Sequence, residues 1–167
     1  MKKNTTPGII YNWKEARGCA DVYREVGSCL YFQASDKKNN PNDINKLLLP
    51  SLVNMSFACE LYLKEISQGK CHGHNLKTLY NSLDVDKKHY IEEITIQMLN
   101  NRPVKNKNYY ETDFDNALNN IKDLFIKSRY HYELEPGKNG SLNNLDFLKA
   151  FMDSLKIYVD NFVKYAY

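Results

Sequence analysis

Residues 47–66, LLLPSLVNMSFACELYLKEI, decide the fold of this chain. At 100° per residue their apolar side chains fall on two stripes, so a helix formed by this segment is apolar on most of its surface. Other elements must cover such a helix on most sides. We therefore predict a central helix over residues 43–68, with either a kink or a start nearer Pro50, because that residue lies in its early turns. The first stripe comprises Leu48, Leu52, Met55, Cys59, Tyr62 and Ile66, and the second comprises Leu49, Val53 and Phe57.

Amphipathic patterns on both sides of this segment predict further helices, separated by Gly, Pro and polar residues that break them. No stretch alternates apolar and polar residues as a half-buried strand does. The pattern predicts an all-α fold, an up-and-down bundle of four long helices with short connecting helices. A length of 167 residues suits a single helical domain over residues 1–167. The other predicted helices cover residues 9–34, 75–83, 86–101 and 110–133, and a last helix is capped by Ser141.

The last predicted helix carries two apolar stripes. One keeps a heptad step from Leu145 to Ala166. The other lies beside it and consists of Phe147, Phe151 and Tyr158. Because the two stripes exceed what one small core needs, we predict that the aromatic stripe is exposed and that the chain forms a homodimer through its helices.

Charge and cysteine content exclude several functions. The net charge is only +3, and Lys and Arg are scattered among Asp and Glu, so no basic stripe for DNA is expected. No apolar segment resembles a signal peptide or a membrane span, which predicts a cytoplasmic protein without membrane contact. In a reducing compartment the four cysteines are free thiols. No glycine-rich phosphate loop occurs, and we expect no cofactor.

Charged residues interrupt two of the apolar faces. Glu60 and Lys64 lie on the central helix, and Arg129 falls within the apolar stripe of the predicted helix 110–133. An arginine always keeps its charge, so at a packed seam it needs a carboxylate or an open groove. We predict that Glu60 and Arg129 meet across the helix interface, with Lys64 and Glu133 nearby. The group is either a structural network, in which Arg129→Ala costs about 3–5 kcal/mol, or a pocket for an anion, nucleotide or RNA phosphate.

The histidines give weaker signals. His131 lies about 120° from the seam of its helix, so it is expected to be partly exposed and available for acid–base chemistry. The segment Cys71-His72-Gly73-His74 does not predict a metal site, because a tetrahedral site needs a second, spaced pair of ligands and none follows. We expect His74 to precede or cap a short helix that begins near Asn75, itself a favourable N-cap residue.

Three segments resemble motifs of one family, the HEPN domains (higher eukaryotes and prokaryotes nucleotide-binding). Residues 58–66, ACELYLKEI, are similar to the A-x-E-L-x-L-K second helix of these domains. Residues 73–80, GHNLKTLY, resemble the G-H-D/N-L-x-x-L that often follows it. Residues 125–133, FIKSRYHYE, resemble the F-x-x-x-R-Y-x-Y-E of many bacterial members. The resemblance covers most of the chain from about residue 45 to 165 and implies a HEPN-like bundle that dimerises.

The resemblance also bears on function. Ribonucleases of the family pair an Arg with a His four to six residues later, but His131 follows Arg129 by only two residues and points about 200° away on a helix. The resemblance therefore implies a module that binds nucleotide, RNA or a partner protein, such as a nucleotidyltransferase, in prokaryotic defence or toxin–antitoxin systems. The alternative is an atypical metal-independent ribonuclease, in which Arg129 stabilises the phosphate and His131 or His74 moves protons. The predicted binding residues are Glu60, Lys64, His74 and Glu133.

Overall fold

The structure is a computed structural model that describes residues 12–36, 41–101, 113–129 and 145–163. Within these ranges the regular elements are α-helices and no strand occurs, which confirms the predicted all-α class. Ser141 and Ala166 lie outside the described residues. The helices are α1 (Trp13–Asp36), α2 (Pro41–Ile66), α3 (Leu76–Asn81), α4 (Val85–Asn100), α5 (Phe114–Ile121), α6 (Leu124–Arg129) and α7 (Leu145–Phe162).

Helix α2 is the centre of the bundle, as its apolar surface predicts. It packs against α1 along much of its length and also against α3, α6 and α7. The helix begins at Pro41, where a proline is well tolerated because a first-turn N–H has no helical partner, and it continues through Pro50. A start nearer Pro50 was one of the two expectations, and it is wrong. Within the described part of the chain, no helix is long and apolar enough to cross a membrane.

Helices α1 and α2 approach each other closely at Gly27. The Ser51 hydroxyl donates a hydrogen bond of 2.7 Å to the carbonyl oxygen of Gly27. A Cβ atom added to Gly27 would lie 2.7 Å from Cγ of Met55 and 3.0 Å from its backbone nitrogen. The crossing therefore depends on the missing side chain at this position, because a packed interface leaves no room for an added methyl group.

Polar contacts join α1 to α2 and α7. Arg17 lies 2.6 Å from the buried Glu65 of α2 and donates to backbone carbonyls at the end of α7. Further along α1, Arg24 donates to Asp153 over 3.0 Å. Tyr31 donates to Asp146 over 2.7 Å. These contacts recur every seven residues on α1, so one edge of that helix is committed to α7.

Helix α7 buries most residues of both apolar stripes, although Phe162 near its end is 55% exposed. Phe147 and Phe151, expected to be exposed, are 1% and 0% exposed, so that prediction is wrong. Their rings pack with Phe114 of α5, at centroid distances of 5.3 and 6.1 Å. On another side of α7, Ser154 forms a buried hydrogen bond of 2.8 Å with Thr95 of α4. Phe147 and Phe151 thus complete the core of this chain, because α5 covers them. Tyr158, the third residue of the aromatic stripe, is half-buried and contacts Tyr90 of α4.

The segment expected to form one helix over residues 110–133 is divided in its described part. Helix α5 ends at Ile121 and α6 begins at Leu124. Between them, the carbonyl oxygen of Lys122 accepts a hydrogen bond of 2.9 Å from the backbone N–H of Leu76. The bond gives a partner to a backbone N–H in the first turn of α3 and to a backbone carbonyl at the α5–α6 break. A long-range hydrogen bond thus competes with continuation of the helix.

Candidate functional site

The candidate site is centred on Glu60, a carboxylate of α2 whose side chain is only 2% exposed. The Lys64 ammonium, one turn further along α2, lies 2.6 Å from Oε1 of Glu60. Nδ1 of His74 lies 3.0 and 2.9 Å from the two carboxylate oxygens. Because a buried carboxylate is costly without partners, the two cationic or hydrogen-bonding side chains stabilise it. Glu60, Lys64, His74 and the neighbouring Phe125 are called the His74 site below.

The backbone that carries His74 is fixed at both ends. After α2 the chain reverses through Gln68 and Gly69, which have φ angles of 53° and 69°. Gly73 adopts a φ of 100°, a conformation that side chains rarely allow. Immediately after His74, the Asn75 side chain accepts a hydrogen bond of 2.9 Å from the Thr78 N–H. Asn75 is thus the N-cap of α3, as the sequence predicted.

A second contact of Asn75 ties the loop to the α5–α6 junction. Its side-chain amide donates a hydrogen bond of 2.7 Å to Oδ1 of Asp123. The adjacent Leu76–Lys122 backbone bond acts at the same place. The loop that carries His74 is therefore fixed to the α5–α6 junction, and the imidazole itself is held by the Glu60 carboxylate. These two contacts limit the orientations of the ring.

Aromatic rings form the inner side of the site. The imidazole of His74 lies 5.7 Å from the ring of Phe125 on α6. Phe125 stacks on Phe57 of α2 at 4.8 Å, and Phe57 makes an edge contact with Tyr23 of α1 at 4.7 Å. Offset and edge contacts at these distances are favourable. The row of rings links three helices beneath His74.

His74 is the exposed member of this group. Its side chain is 51% exposed, and among the described residues Nε2 has no hydrogen-bond partner. A carboxylate can only accept, so Glu60 holds the proton of the imidazole on Nδ1 and leaves Nε2 towards the solvent. This arrangement can donate to an anion when the ring is protonated, or accept a proton when it is neutral.

A second polar cluster lies at the α1–α2–α7 interface and differs in character. The Tyr62 hydroxyl donates to Asp21 over 2.6 Å. Burial, then this hydrogen bond, raises the pKa of Tyr62 well above its ordinary range. Burial is also the main reason, followed by the charge of Asp153, that the pKa of Cys59 is raised. A buried thiol of this kind is unreactive, and the cluster has the properties of a structural interface.

The residues predicted for the site have different outcomes. Glu60, Lys64 and His74 come together, although the sequence did not predict that His74 is the partner of Glu60. Arg129 ends α6 one turn after Phe125, but its side chain lies outside the described residues. His131 and Glu133 also lie outside them. The contact between Glu60 and Arg129 therefore stays a prediction, and the packing of α6 on α2 is compatible with it.

One signal in the sequence pointed to His74. It stands directly before an N-cap asparagine and directly after Gly73, so its backbone is constrained on both sides. In the part of the chain that the structure describes, no three His, Cys, Asp or Glu side chains are placed to hold a metal ion. The groups that the His74 site presents are an imidazole, an ammonium and a carboxylate.

Comparisons of this chain with protein-family models, with curated proteins and with solved structures found no match. The resemblance to HEPN domains thus rests on the three sequence segments quoted above. The geometry of the His74 site is the independent observation from which function is inferred.

Proposed function

We propose that this protein is a HEPN-like helical module that binds a phosphate-bearing ligand, a nucleotide or RNA, at the His74 site. The pairing of a half-exposed imidazole with a buried carboxylate carries the proposal. Burying Glu60 has a free-energy cost that an apolar residue would avoid. What the buried carboxylate provides in return is a fixed orientation of the half-exposed His74 imidazole. Such orientation is useful where that ring must meet a ligand.

The charges of the site suit an anion. Lys64 balances the negative charge of Glu60, and in the protonated form of His74 the imidazolium adds a net positive charge. The Lys64 side chain is 22% exposed. Glu60 needs only one of the three N–H donors of Lys64, so the others can reach a ligand. In the protonated form of His74, Nε2 supplies a further donor. A phosphate oxygen bound by these groups would accept charge-assisted hydrogen bonds, which are stronger than neutral ones.

The module would serve prokaryotic defence or a toxin–antitoxin pair, as the resemblance implies. In that setting the bound phosphate belongs to RNA or to a nucleotide, and a partner such as a nucleotidyltransferase acts on or with the module. This wider role rests on the sequence resemblance, whereas the anion site rests on the contacts of His74.

Binding to labelled single-stranded RNA and to nucleoside triphosphates, measured by fluorescence anisotropy, tests the proposal. His74→Ala is expected to weaken binding about 10- to 100-fold, because a hydrogen bond to a charged group contributes about 1.5–3 kcal/mol. His89→Ala is the matched control, since His89 is an exposed histidine of α4, a helix that contributes no residue to the His74 site. Equal binding by the wild type, His74→Ala and Lys64→Met would contradict an anion site here.

The Glu60–His74 pair also favours a second candidate, the atypical metal-independent ribonuclease. A carboxylate that fixes an imidazole is a common way to orient a general base. His74 would take the proton of a ribose 2′-hydroxyl as its oxygen attacks the phosphorus, and Arg129 would stabilise the phosphate. The bond from phosphorus to the 5′-oxygen would break, and that oxygen would leave as a hydroxyl with a proton from solvent water. His131 is the alternative proton carrier.

Incubation with RNA in the presence of EDTA separates the two candidates. The binding module leaves RNA intact. The ribonuclease would cleave it, would spare RNA with 2′-O-methyl groups, and would lose activity in Arg129→Ala and in either His74→Ala or His131→Ala. Cleavage that EDTA abolishes would contradict the ribonuclease.

A further inference from the structure

Helix α1 has an outer face that the bundle does not cover. Its inner face, which packs on the bundle, carries small buried residues at seven-residue steps: Ala20, Gly27 and Ala34. The outer face carries apolar side chains with large exposed fractions, 59% for Val22 and 43% for Val26. A run of exposed apolar residues on one side of a helix marks an interaction surface more often than scattered single residues do. The outer face comprises Cys19, Val22, Val26, Cys29 and Phe32.

The spacing along this face is that of a helix-pairing seam. Cys19, Val22, Val26 and Cys29 follow one another at steps of three, four and three residues, the a and d positions of a heptad. Such a stripe packs against another helix with knobs in holes. A seam of this kind on the outside of a bundle therefore fits a helix from another molecule.

The spacing is also symmetric about residue 24. If a second copy of α1 lies antiparallel with its two-fold axis at that residue, Cys19 faces Cys29 and Val22 faces Val26 of the second copy. Polar residues close both ends of the same register, because Glu15 then faces Gln33, and both are exposed. A different partner protein would not require this symmetry, whereas a two-fold dimer does, since each residue must match its symmetry mate.

The flank of the seam shows a similar match. Phe32 is 58% exposed, and Gly18, Glu25 and Phe32 each lie one residue before an a position of the heptad, that is, at g positions. In an antiparallel pair, g positions lie beside g positions and are offset by about one residue from the register of the a and d residues, so Phe32 lies next to Gly18 of the second copy. A Cβ atom added at Gly18 would meet nothing within 4 Å, so the surface there is open to an aromatic ring. Near the axis, the exposed Glu25 faces Glu25 of the second copy. That like-charge pair weakens the dimer modestly and makes it stronger at high salt.

We infer that the outer face of α1 is a homodimer interface in which two copies of α1 pair antiparallel about residue 24. This inference goes beyond the proposed function and does not depend on what the His74 site binds. It also does not use the aromatic stripe of α7, because the core of the chain already buries Phe147 and Phe151.

Charge insertion tests the surface. We expect sedimentation velocity of the full chain to show a dimer that dissociates at low micromolar concentration or below. Val22→Lys/Val26→Lys is expected to raise the dissociation constant at least about 10-fold, because four ammonium groups would meet in one seam. Val85→Lys is the matched control, because Val85 is 74% exposed on α4 and outside the seam. Since these positions are exposed, circular dichroism should be unchanged in all variants.

Thiol cross-linking tests the direction of the helices. In a Cys71→Ser background, chains that keep only Cys19 or only Cys29 on α1 are treated with a short bis-maleimide, and the buried Cys59 stays unreactive. An equal mixture of the two chains should cross-link, whereas each alone should not, because like cysteines lie about 15 Å apart along the antiparallel seam. Cross-linking within each single-cysteine chain would show parallel helices and overturn the inference.

The remaining outcomes also decide. A chain that stays monomeric at high micromolar concentration overturns the dimer, and two explanations can then be separated. If removal of residues 1–11 increases the reactivity of Cys19 and Cys29, that segment covers the face. If it does not, residues 1–11 leave the face open to a different partner.

Discussion

Two buried glutamates of α2, Glu60 and Glu65, have partners that differ in how far they are exposed to solvent. They are five residues apart, so their side chains leave the helix about 140° from each other. Glu65 meets Arg17, whose guanidinium also donates to the carbonyls of Val159 in α7 and of Val163 just after it. Glu60 meets Lys64 and the half-exposed His74. The first arrangement is closed by another helix, whereas the second ends at the solvent.

The difference shows how to distinguish a structural charge from an available one. At Glu65 the cation is anchored to a third element, so it can contribute to stability by joining three helices. At Glu60 the outer partner is a ring on a loop, with one nitrogen towards the solvent. A buried carboxylate alone does not predict function, and the exposure of its partner is the informative quantity.

Removal of Arg17 is expected to have the largest effect on stability. Arg17→Ala takes the guanidinium from beside a buried carboxylate and from the end of α7, so the free energy of unfolding should fall by about 3 kcal/mol. Urea unfolding followed by circular dichroism measures this change. The double variant Arg17→Met/Glu65→Leu should recover most of the loss, because no buried charge remains. A loss in the single variant below about 1 kcal/mol would show that the closed cluster is not structural.

Substitution of Gly27 tests how tightly the inner face of α1 packs on α2. Gly27→Ala should cost about 1–3 kcal/mol, because the new methyl group would overlap Met55. Gly18→Ala, in the same helix but without neighbours within 4 Å, should instead stabilise the monomer by about 0.5–1 kcal/mol. Thermal melts at concentrations below dimer formation give both values. Similar effects at the two glycines would argue against a tight α1–α2 crossing.

The smallest effect on stability is expected at the open site. His74→Ala should lower the free energy of unfolding by less than about 1 kcal/mol, because Glu60 keeps Lys64 and the lost ring is half exposed. The same variant should show the large loss of RNA or nucleotide binding described above. If His74→Ala is as destabilising as Arg17→Ala and binding is unaffected, both clusters are structural.

The elements of the fold could be predicted largely from local patterns. The apolar surface of α2 required partners on most sides, and the structure supplies α1, α3, α6 and α7. The N-cap at Asn75 followed from residue type, because the amide satisfies an N–H two or three residues later in the same turn. These features involve neighbours in sequence, so periodicity and side-chain chemistry are sufficient to find them.

The sequence by itself thus determined the helices, the central place of α2 and the presence of charges on its apolar faces. Only the tertiary structure decided which stripe of α7 is covered, where the segment at Lys122 divides, and that Glu60 pairs with His74. The physical reason is that each of these depends on contacts between distant segments. Phe147 and Phe151 are buried because α5 packs on them, the Lys122 carbonyl is taken by Leu76, and the loop after α2 returns His74 to a carboxylate fourteen residues earlier.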